Sequence, residues 1–369
     1  MNSKNLIIFA PLIGGGGVEK NLFIIANDLA NRFNNIKLIT ASPNQKYKFH
    51  KKIKLIYINS KFLNNINNRH FKIFLCLILL LKHYFLNLKK KNTVISFHGN
   101  LYCCILSKIL GFKVIIRSNA SITGWSKNFI KKYLYRLILS LADCIIVNSK
   151  EFQKEYKIRF NLKTLCIYNP LDKTNIIKKS KKKINFNFFK KKTVNFINVG
   201  RLVQQKDQVT LIKAFNLLKE KTSIKFRLLI IGRGIEKYKL IKLIKKHQLI
   251  KNIKLLDFKK NPYPYIKQSD AFVLSSIFEG LPNVLLESIV LKKFIISSNC
   301  PTGPKEILDS GRGGHIFLMK NSYDLYLKIK NYVNNKNKLK KKITYSNKRL
   351  FRFDYRKNLN KYYNLLKIY

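Results

Sequence analysis

The sequence has 369 residues, 46% of them hydrophobic and 12% aromatic, enough for two domains with cores of their own. Its formal charge of +57 points to nucleic acid, an anionic membrane or acidic substrates, yet Lys, Asn and Ile are abundant in every region, so the excess reads as chain-wide drift more than as one patch. Six scattered cysteines, with no Cys-x-x-Cys pair and no His cluster beside them, exclude a structural zinc site and fit a reducing cytosol.

The chain opens on an apolar stretch, 6–11, that reads as a strand. The glycines Gly14, Gly15, Gly16 and Gly17 follow without a small-residue cleavage site, so a phosphate-type loop fits better than a signal peptide. Apolar spacing then predicts a helix over 18–33, strands at 36–40 and 53–58, and a very apolar helix over 71–88 that carries basic residues. No run reaches the ~18 apolar residues of a membrane span; the nearest, 73–81, is bounded by Lys72, Lys82 and His83. A strand at 93–97 ends at His98-Gly99-Asn100, and another at 114–116 ends at Arg117-Ser118-Asn119. Helices at 101–110, 129–141 and 150–156 and strands at 144–147 and 165–168 complete a first half, 1–172.

Residues 173–192 are Lys- and Asn-rich with few apolar anchors and read as a linker. A second half, 193–350, repeats the alternation, with strands at 193–199, 226–231, 253–258, 271–274 and 294–297 and helices at 208–219 and 235–248. An amphipathic helix over 352–366 closes the chain, with Phe353, Leu359, Tyr362 and Leu366 as its anchors. Strands alternating with helices predict α/β halves with parallel sheets covered on both faces. Open parallel sheets bind ligands beyond the carboxyl ends of their strands, where the glycine loop, His98, Arg117, residues 200–206 and Glu279 all fall.

The most informative window is 278–287, Phe-Glu-Gly-Leu-Pro-Asn-Val-Leu-Leu-Glu. A buried strand leads into a turn at Gly280, and Pro282 suits the first position of a helix, whose free N–H groups favour an anion. Two acids, Glu279 and Glu287, beside such a helix start suit a ligand with hydroxyls as well as phosphates, because carboxylates accept hydrogen bonds from a sugar or ribose diol. A solvated and a capping glutamate on a surface helix are the plain alternative.

Seven segments then carry a resemblance in order along nearly the whole chain. They are Gly-Gly-Gly-Gly-Val-Glu (14–19), Ala-Asp-Cys-Ile-Ile-Val-Asn-Ser (142–149), Tyr-Asn-Pro-Leu-Asp (168–172), Val-Gly-Arg-Leu-Val-Gln-Gln-Lys-Asp (199–207), Asn-Pro-Tyr-Pro-Tyr (261–265), Glu-Gly-Leu-Pro-Asn-Val-Leu-Leu-Glu (279–287) and Cys-Pro-Thr-Gly-Pro-Lys-Glu-Ile-Leu (300–308). The set resembles glycosyltransferase family 4. That resemblance implies the GT-B fold: two Rossmann-like domains facing across a cleft, with a last helix, 351–369, crossing back to the first. It implies retaining transfer from a nucleotide sugar, with UDP as the frequent carrier and no metal or other cofactor.

By the same resemblance Arg201 and Lys206 hold the donor diphosphate, Glu279 contacts the donor sugar and Glu287 the ribose. The backbone of Gly280, Leu281 and Asn283 meets the diphosphate or sugar hydroxyls, and Gly15, Gly16 and Gly17 let the first domain approach the same donor. Charge-assisted hydrogen bonds from Arg201 and Lys206 can neutralise a leaving diphosphate as a metal would. His98 is a candidate for facing the reacting sugar, and a packed, non-catalytic histidine is its alternative. Arg117 and Asn119 are candidates for an acceptor phosphate, with a structural link as the alternative.

The acceptor is expected on the first domain. The helix over 71–88, Lys89-Lys90-Lys91, Trp125 and Phe129 together suggest docking on anionic lipid and a lipid-linked saccharide acceptor at the inner face of a bacterial cytoplasmic membrane. A nucleotide-sugar epimerase of the same fold and a nucleic-acid-binding protein are the competing readings. The latter calls for a concentrated basic stripe with interleaved aromatics, and here the lysines are spread throughout.

Overall fold

The computed structural model describes residues 2–14, 16–41, 47–60, 68–87, 92–119 and 128–369. They fall into two compact units, one running through Pro170 and including Tyr355–Tyr369, the other Leu171–Asp354. Gly15, Lys89, Lys90, Lys91 and Trp125, all singled out in the sequence, lie outside the described residues.

Among the described residues the first unit is built on β1 (Asn2–Phe9), β2 (Phe33–Ile39), β3 (Ile53–Ile56), β4 (Asn92–Ser96), β5 (Lys113–Arg117), β6 (Cys144–Val147) and β7 (Leu165–Cys166). They pair in parallel in the order β3-β2-β1-β4-β5-β6-β7. The helices are α1 (Gly17–Ala30), α2 (Arg69–Phe85), α3 (Asn100–Ile109), α4 (Phe129–Ser140) and α5 (Lys150–Phe160). Alternate residues of a strand face opposite sides. Leu6 and Ile8 therefore join a core under α1, while Ile7 and Phe9 join one under α2 and α3. Side-chain caps set several helix starts: Asn128 Oδ1 accepts the Lys131 N–H at 3.1 Å, and Ser149 Oγ accepts that of Phe152 at 3.1 Å.

In the second unit α6 (Lys173–Ser180) comes first, followed by β8 (Val194–Val199), α7 (Gln208–Lys221), β9 (Phe226–Ile231), α8 (Lys237–Lys246), β10 (Ile253–Leu256), α9 (Tyr263–Gln268) and β11 (Ala271–Leu274). Then come α10 (Asn283–Val290), β12 (Phe294–Ser298), α11 (Pro304–Ile307), β13 (His315–Phe317), α12 (Ser322–Asn334) and α13 (Lys336–Lys348). The parallel sheet runs β10-β9-β8-β11-β12-β13. The strand order reverses between β1 and β4 in one unit and between β8 and β11 in the other. Those are the switch points where such sheets leave a crevice.

Three expectations are corrected. Residues 173–192 are not a plain linker, because α6 begins there and belongs to the second unit. Asp172 Oδ1 caps it by accepting the Asn175 N–H at 3.0 Å, and buried Ile176 anchors it; the lysine run hid this single apolar anchor. Secondly, α12 and α13 fill a stretch between 298 and 352 for which the sequence reading named no helices. Lastly, the closing helix α14 spans Tyr355–Ile368. Leu359, Tyr362 and Leu366 pack with Leu22 and Ile25 of α1, whereas Phe353 falls before the helix and within the second unit.

Candidate active site

The loops beyond β8 and β11 meet at the second unit's switch point, and the chain there is bound tightly to itself. The Ile277 N–H donates to the Gln205 carbonyl at 2.8 Å, and Gln205 Nε2 donates to the Phe278 carbonyl at 2.8 Å. Ser275 Oγ donates to the Lys206 carbonyl at 2.8 Å. Lys206 Nζ then donates to Glu279 Oε1 at 2.5 Å, and Ser276 Oγ donates to the same oxygen at 2.6 Å. The Lys206 and Glu279 side chains are 17% and 8% exposed, so solvent screens this pair poorly.

Arg201 stands at the open side of the same loop, exposed, with Nη2 donating to Gln205 Oε1 at 3.1 Å. The lysine stem crosses Gly200, where an added Cβ would lie 3.7 Å from Lys206 Cδ. Beneath it Gly232 admits no side chain at all, since a Cβ there would lie 1.9 Å from the Gly200 carbonyl oxygen. That contact brings the loop after β9 against the loop after β8. On the other flank Thr302 Oγ1 donates to the Glu279 carbonyl at 2.5 Å, and a Cβ on Gly303 would lie 2.3 Å from the Gly280 oxygen. The loops after β8 and β12 thus fix Glu279 and Gly280 from two sides.

Pro282 is the N-cap of α10 and not its first residue, with φ −70° and ψ 101°, and the helix starts at Asn283. Leu281 is buried. Glu287 lies inside α10, itself buried, so Glu279 and Glu287 are both acids held in largely dry surroundings. Arg201, Lys206, Glu279, Gly280, Leu281, Asn283 and Glu287 all belong to this unit, on the β8 and β11 loops and on α10. Among the described residues no group of three or more His, Cys, Asp and Glu forms a metal-ligand set.

In the first unit, Gly16 is the N-cap of α1 and has no side chain to serve as one. Glu19, in the first turn, folds back over the loop, so that a Cβ on Gly16 would lie 2.8 Å from its Oε2. Its carboxylate therefore sits against Gly16, where bare backbone had been expected to approach the donor, and a Cβ on Gly14 would lie 3.5 Å from its Oε1. Glu19 Oε1 is 4.0 Å from His98 Nε2. Burial, reinforced by Arg69 and Arg117, lowers the His98 pKa to about 4, so the ring is neutral at pH 7. His98 Nδ1 is buried without a hydrogen-bond partner among the described residues.

Arg117 and Asn119 are corrected as acceptor ligands. Arg117 is 1% exposed and its guanidinium is spent on the fold. Nε donates to the Tyr362 hydroxyl at 2.8 Å, Nη2 to Asn169 Oδ1 at 2.7 Å, and Nη1 to Asn119 Oδ1. Asn119 Nδ2 donates to the Phe97 carbonyl at 2.9 Å. Together they lock α14 onto the ends of the strands.

Sequence reasoning missed Gln205, Ser276 and Thr302 and gave Glu19 no role. Gln205, Thr302 and Glu19 lie within quoted segments and Ser276 just ahead of one, but a neutral amide or hydroxyl shows its purpose only when its partner loop is known.

Comparison with known proteins matches residues 179–349 to the family model "Glycosyl transferases group 1". An uncharacterized glycosyltransferase of Methanocaldococcus jannaschii is 35% identical over 237 residues, 59% of this chain and 58% of that protein, so the match spans under two thirds of the relative's length. The N-acetylgalactosamine-N,N'-diacetylbacillosaminyl-diphospho-undecaprenol 4-alpha-N-acetylgalactosaminyltransferase of Campylobacter jejuni is 30% identical over 257 residues, 67% of each chain. Among solved structures, sucrose-phosphate synthase from Thermosynechococcus elongatus superposes with a TM-score of 0.80 at 14% identity, covering 99% of this chain and 98% of that one. Anabaena HepE in complex with UDP gives 0.75 at 16% identity, covering 99% and 100%.

Proposed function

The chain belongs to the group 1 glycosyltransferases and has the GT-B fold, and from that premise we propose that it moves a hexose or N-acetylhexosamine from a nucleotide sugar, UDP-linked, to a lipid-linked saccharide in bacterial surface-glycan assembly. The observation that carries this reading is the Lys206–Glu279 pair at the switch point, with Arg201 beside it. One ligand explains cations and acids together: diphosphate for Arg201 and Lys206, hydroxyls for Glu279 and Glu287.

Donor binding exchanges partners. The diphosphate draws Lys206 from Glu279, and the freed carboxylate accepts hydrogen bonds from the sugar. When the bond between the anomeric carbon and the phosphate oxygen breaks, its electron pair stays on the phosphate, where Arg201 and Lys206 stabilise the charge. The acceptor oxygen bonds to the anomeric carbon on the same face and its proton passes to the leaving phosphate, which retains configuration. These cations take the place of a metal. His98, neutral and with Nδ1 unpartnered among the described residues, is the first unit's candidate for orienting an acceptor hydroxyl. The lipid carrier is supported by the name of the Campylobacter relative, whose acceptor is a diphospho-undecaprenol saccharide, and with such an acceptor the enzyme works at the inner face of the cytoplasmic membrane.

The test is direct binding of UDP-, GDP- and ADP-sugars to the purified protein, with and without EDTA. One donor is expected to bind saturably and independently of EDTA. Arg201→Ala should weaken it about 10- to 100-fold, the loss of a charged hydrogen bond of ~1.5–3 kcal/mol, and Glu287→Ala should weaken it similarly. Binding of no nucleotide sugar, or full affinity in both variants, sinks the proposal.

A further inference from the structure

The described chain carries one large surface that its own fold leaves uncovered. Helix α4 has twelve residues, of which only Leu139 is fully buried. Phe129 is 81% exposed and Ile130 68%, and Leu134 is also exposed. At ~100° per residue, Ile130, Tyr133, Leu134, Leu137 and Leu141 form a single stripe opposite Leu139. Lys131 lies about 100° to one side of Ile130 and Arg136 about 120° to the other, flanking the stripe. A helix this short is marginal in water when so little of it is packed.

The surface does not stop at α4. Helix α3 packs beside it and α2 beside α3, and both turn further large apolar residues outward, among them Ile109 at 74%, Phe85 at 63% and Phe74 at 57% exposure. Neighbouring helices that all turn large apolar residues outward point to an interaction face. None of the three helices contains an Asp or a Glu, while Lys, Arg and His are interspersed on all but the centre of the stripe.

We infer that the α2–α3–α4 face is a docking surface for an anionic lipid bilayer, with α4 lying in the plane of the interface. Its stripe enters the acyl boundary while Lys131 and Arg136 extend to headgroup phosphates on either side. Charge decides the occupant. A second copy of this chain would set cations on cations, since 74 Lys and Arg face only 17 Asp and Glu. No helix among the described residues is long and apolar enough to cross a membrane, which fits a surface that lies on a bilayer. The inference deepens the lipid-linked acceptor reading and rests on it for its purpose, but its physical content is tested without donor or acceptor.

The experiment is flotation of the full chain with vesicles of phosphatidylcholine alone or with 30 mol% phosphatidylglycerol, at low and high salt. Strong binding to the anionic vesicles, weakened by salt, is expected. The combined change Lys131→Glu and Arg136→Glu should lower binding about 30-fold or more, at ~1 kcal/mol per basic residue. The combined change Ile130→Ser, Leu134→Ser and Leu137→Ser should lower it to a similar extent at high salt, where the apolar contribution dominates. Both variants alter exposed residues, so nucleotide-sugar binding and melting temperature should stay those of the parent. Absence of binding to anionic vesicles, equal binding to neutral ones, or concentration-dependent self-association abolished by the serine variant would each overturn the inference. Loss of nucleotide binding in the parent, with vesicle binding intact, would defeat the transferase reading and leave the surface standing.

Discussion

Replacing Glu279 by alanine tests the switch-point pair most sharply. The carboxylate takes hydrogen bonds from Lys206 at 2.5 Å and Ser276 at 2.6 Å, and the lysine side chain is only 17% exposed. Glu279→Ala strands that ammonium without its counter-charge. Breaking a buried pair from one side costs ~3–5 kcal/mol. Residual solvent at Lys206 argues for the lower end, about 3 kcal/mol. For a unit of this size, ~2–4 °C per kcal/mol translates this into a melting temperature lower by roughly 6–12 °C. The assay is a thermal scan of four proteins: parent, Glu279→Ala, Lys206→Met and the double variant. Because two apolar residues replace an ion pair at little cost, the double variant should melt well above Glu279→Ala. Additive losses, or an unchanged Glu279→Ala, would refute the claim that the two side chains form one buried unit.

Two further outcomes follow from the first unit. Tyr362→Phe removes the hydroxyl that accepts from Arg117 Nε, leaving a fully buried guanidinium short of one partner; about 2 kcal/mol should be lost in urea unfolding, and a change under ~0.5 kcal/mol would mean that water replaces the hydroxyl. The second concerns pH. Native His98 is held to about 4 by burial and by Arg69 and Arg117, against an ordinary value of 6.5. Between those values the unfolded chain binds a proton that the native ring refuses, so stability falls as pH drops from 6.5 toward 4 and rises in the other direction. His315 is likewise lowered to about 4, by burial and then Lys342, and contributes the same slope. Urea midpoints between pH 4 and 7 should therefore change less steeply in His98→Asn, though not become flat, and identical slopes would refute the assignment.

The switch-point loops of the second unit were legible in the sequence, because their residues cluster on strand ends that periodicity locates. Arg201 and Lys206 follow the apolar run of β8, and Glu279 and Gly280 follow that of β11. An open parallel sheet exposes only such ends to ligands. The strand ends of the first unit were less legible. Arg117 and Asn119 also sit at a strand end, yet the chain's own last helix arrives there and uses them.

The sequence by itself therefore determined the alternation of strands and helices, the place of the loops and the residue types on each. Those are local properties, set by the period of apolar residues along one element. Only the tertiary structure decided which partner each polar group meets. It joined Lys206 to Glu279 across 73 positions and Arg117 to Tyr362 across 245. It also folded Glu19 over the glycine loop and left α4 with one buried residue. A side chain's direction relative to its own helix or strand follows from spacing. What stands opposite it depends on segments far away in the chain, and no local pattern encodes that.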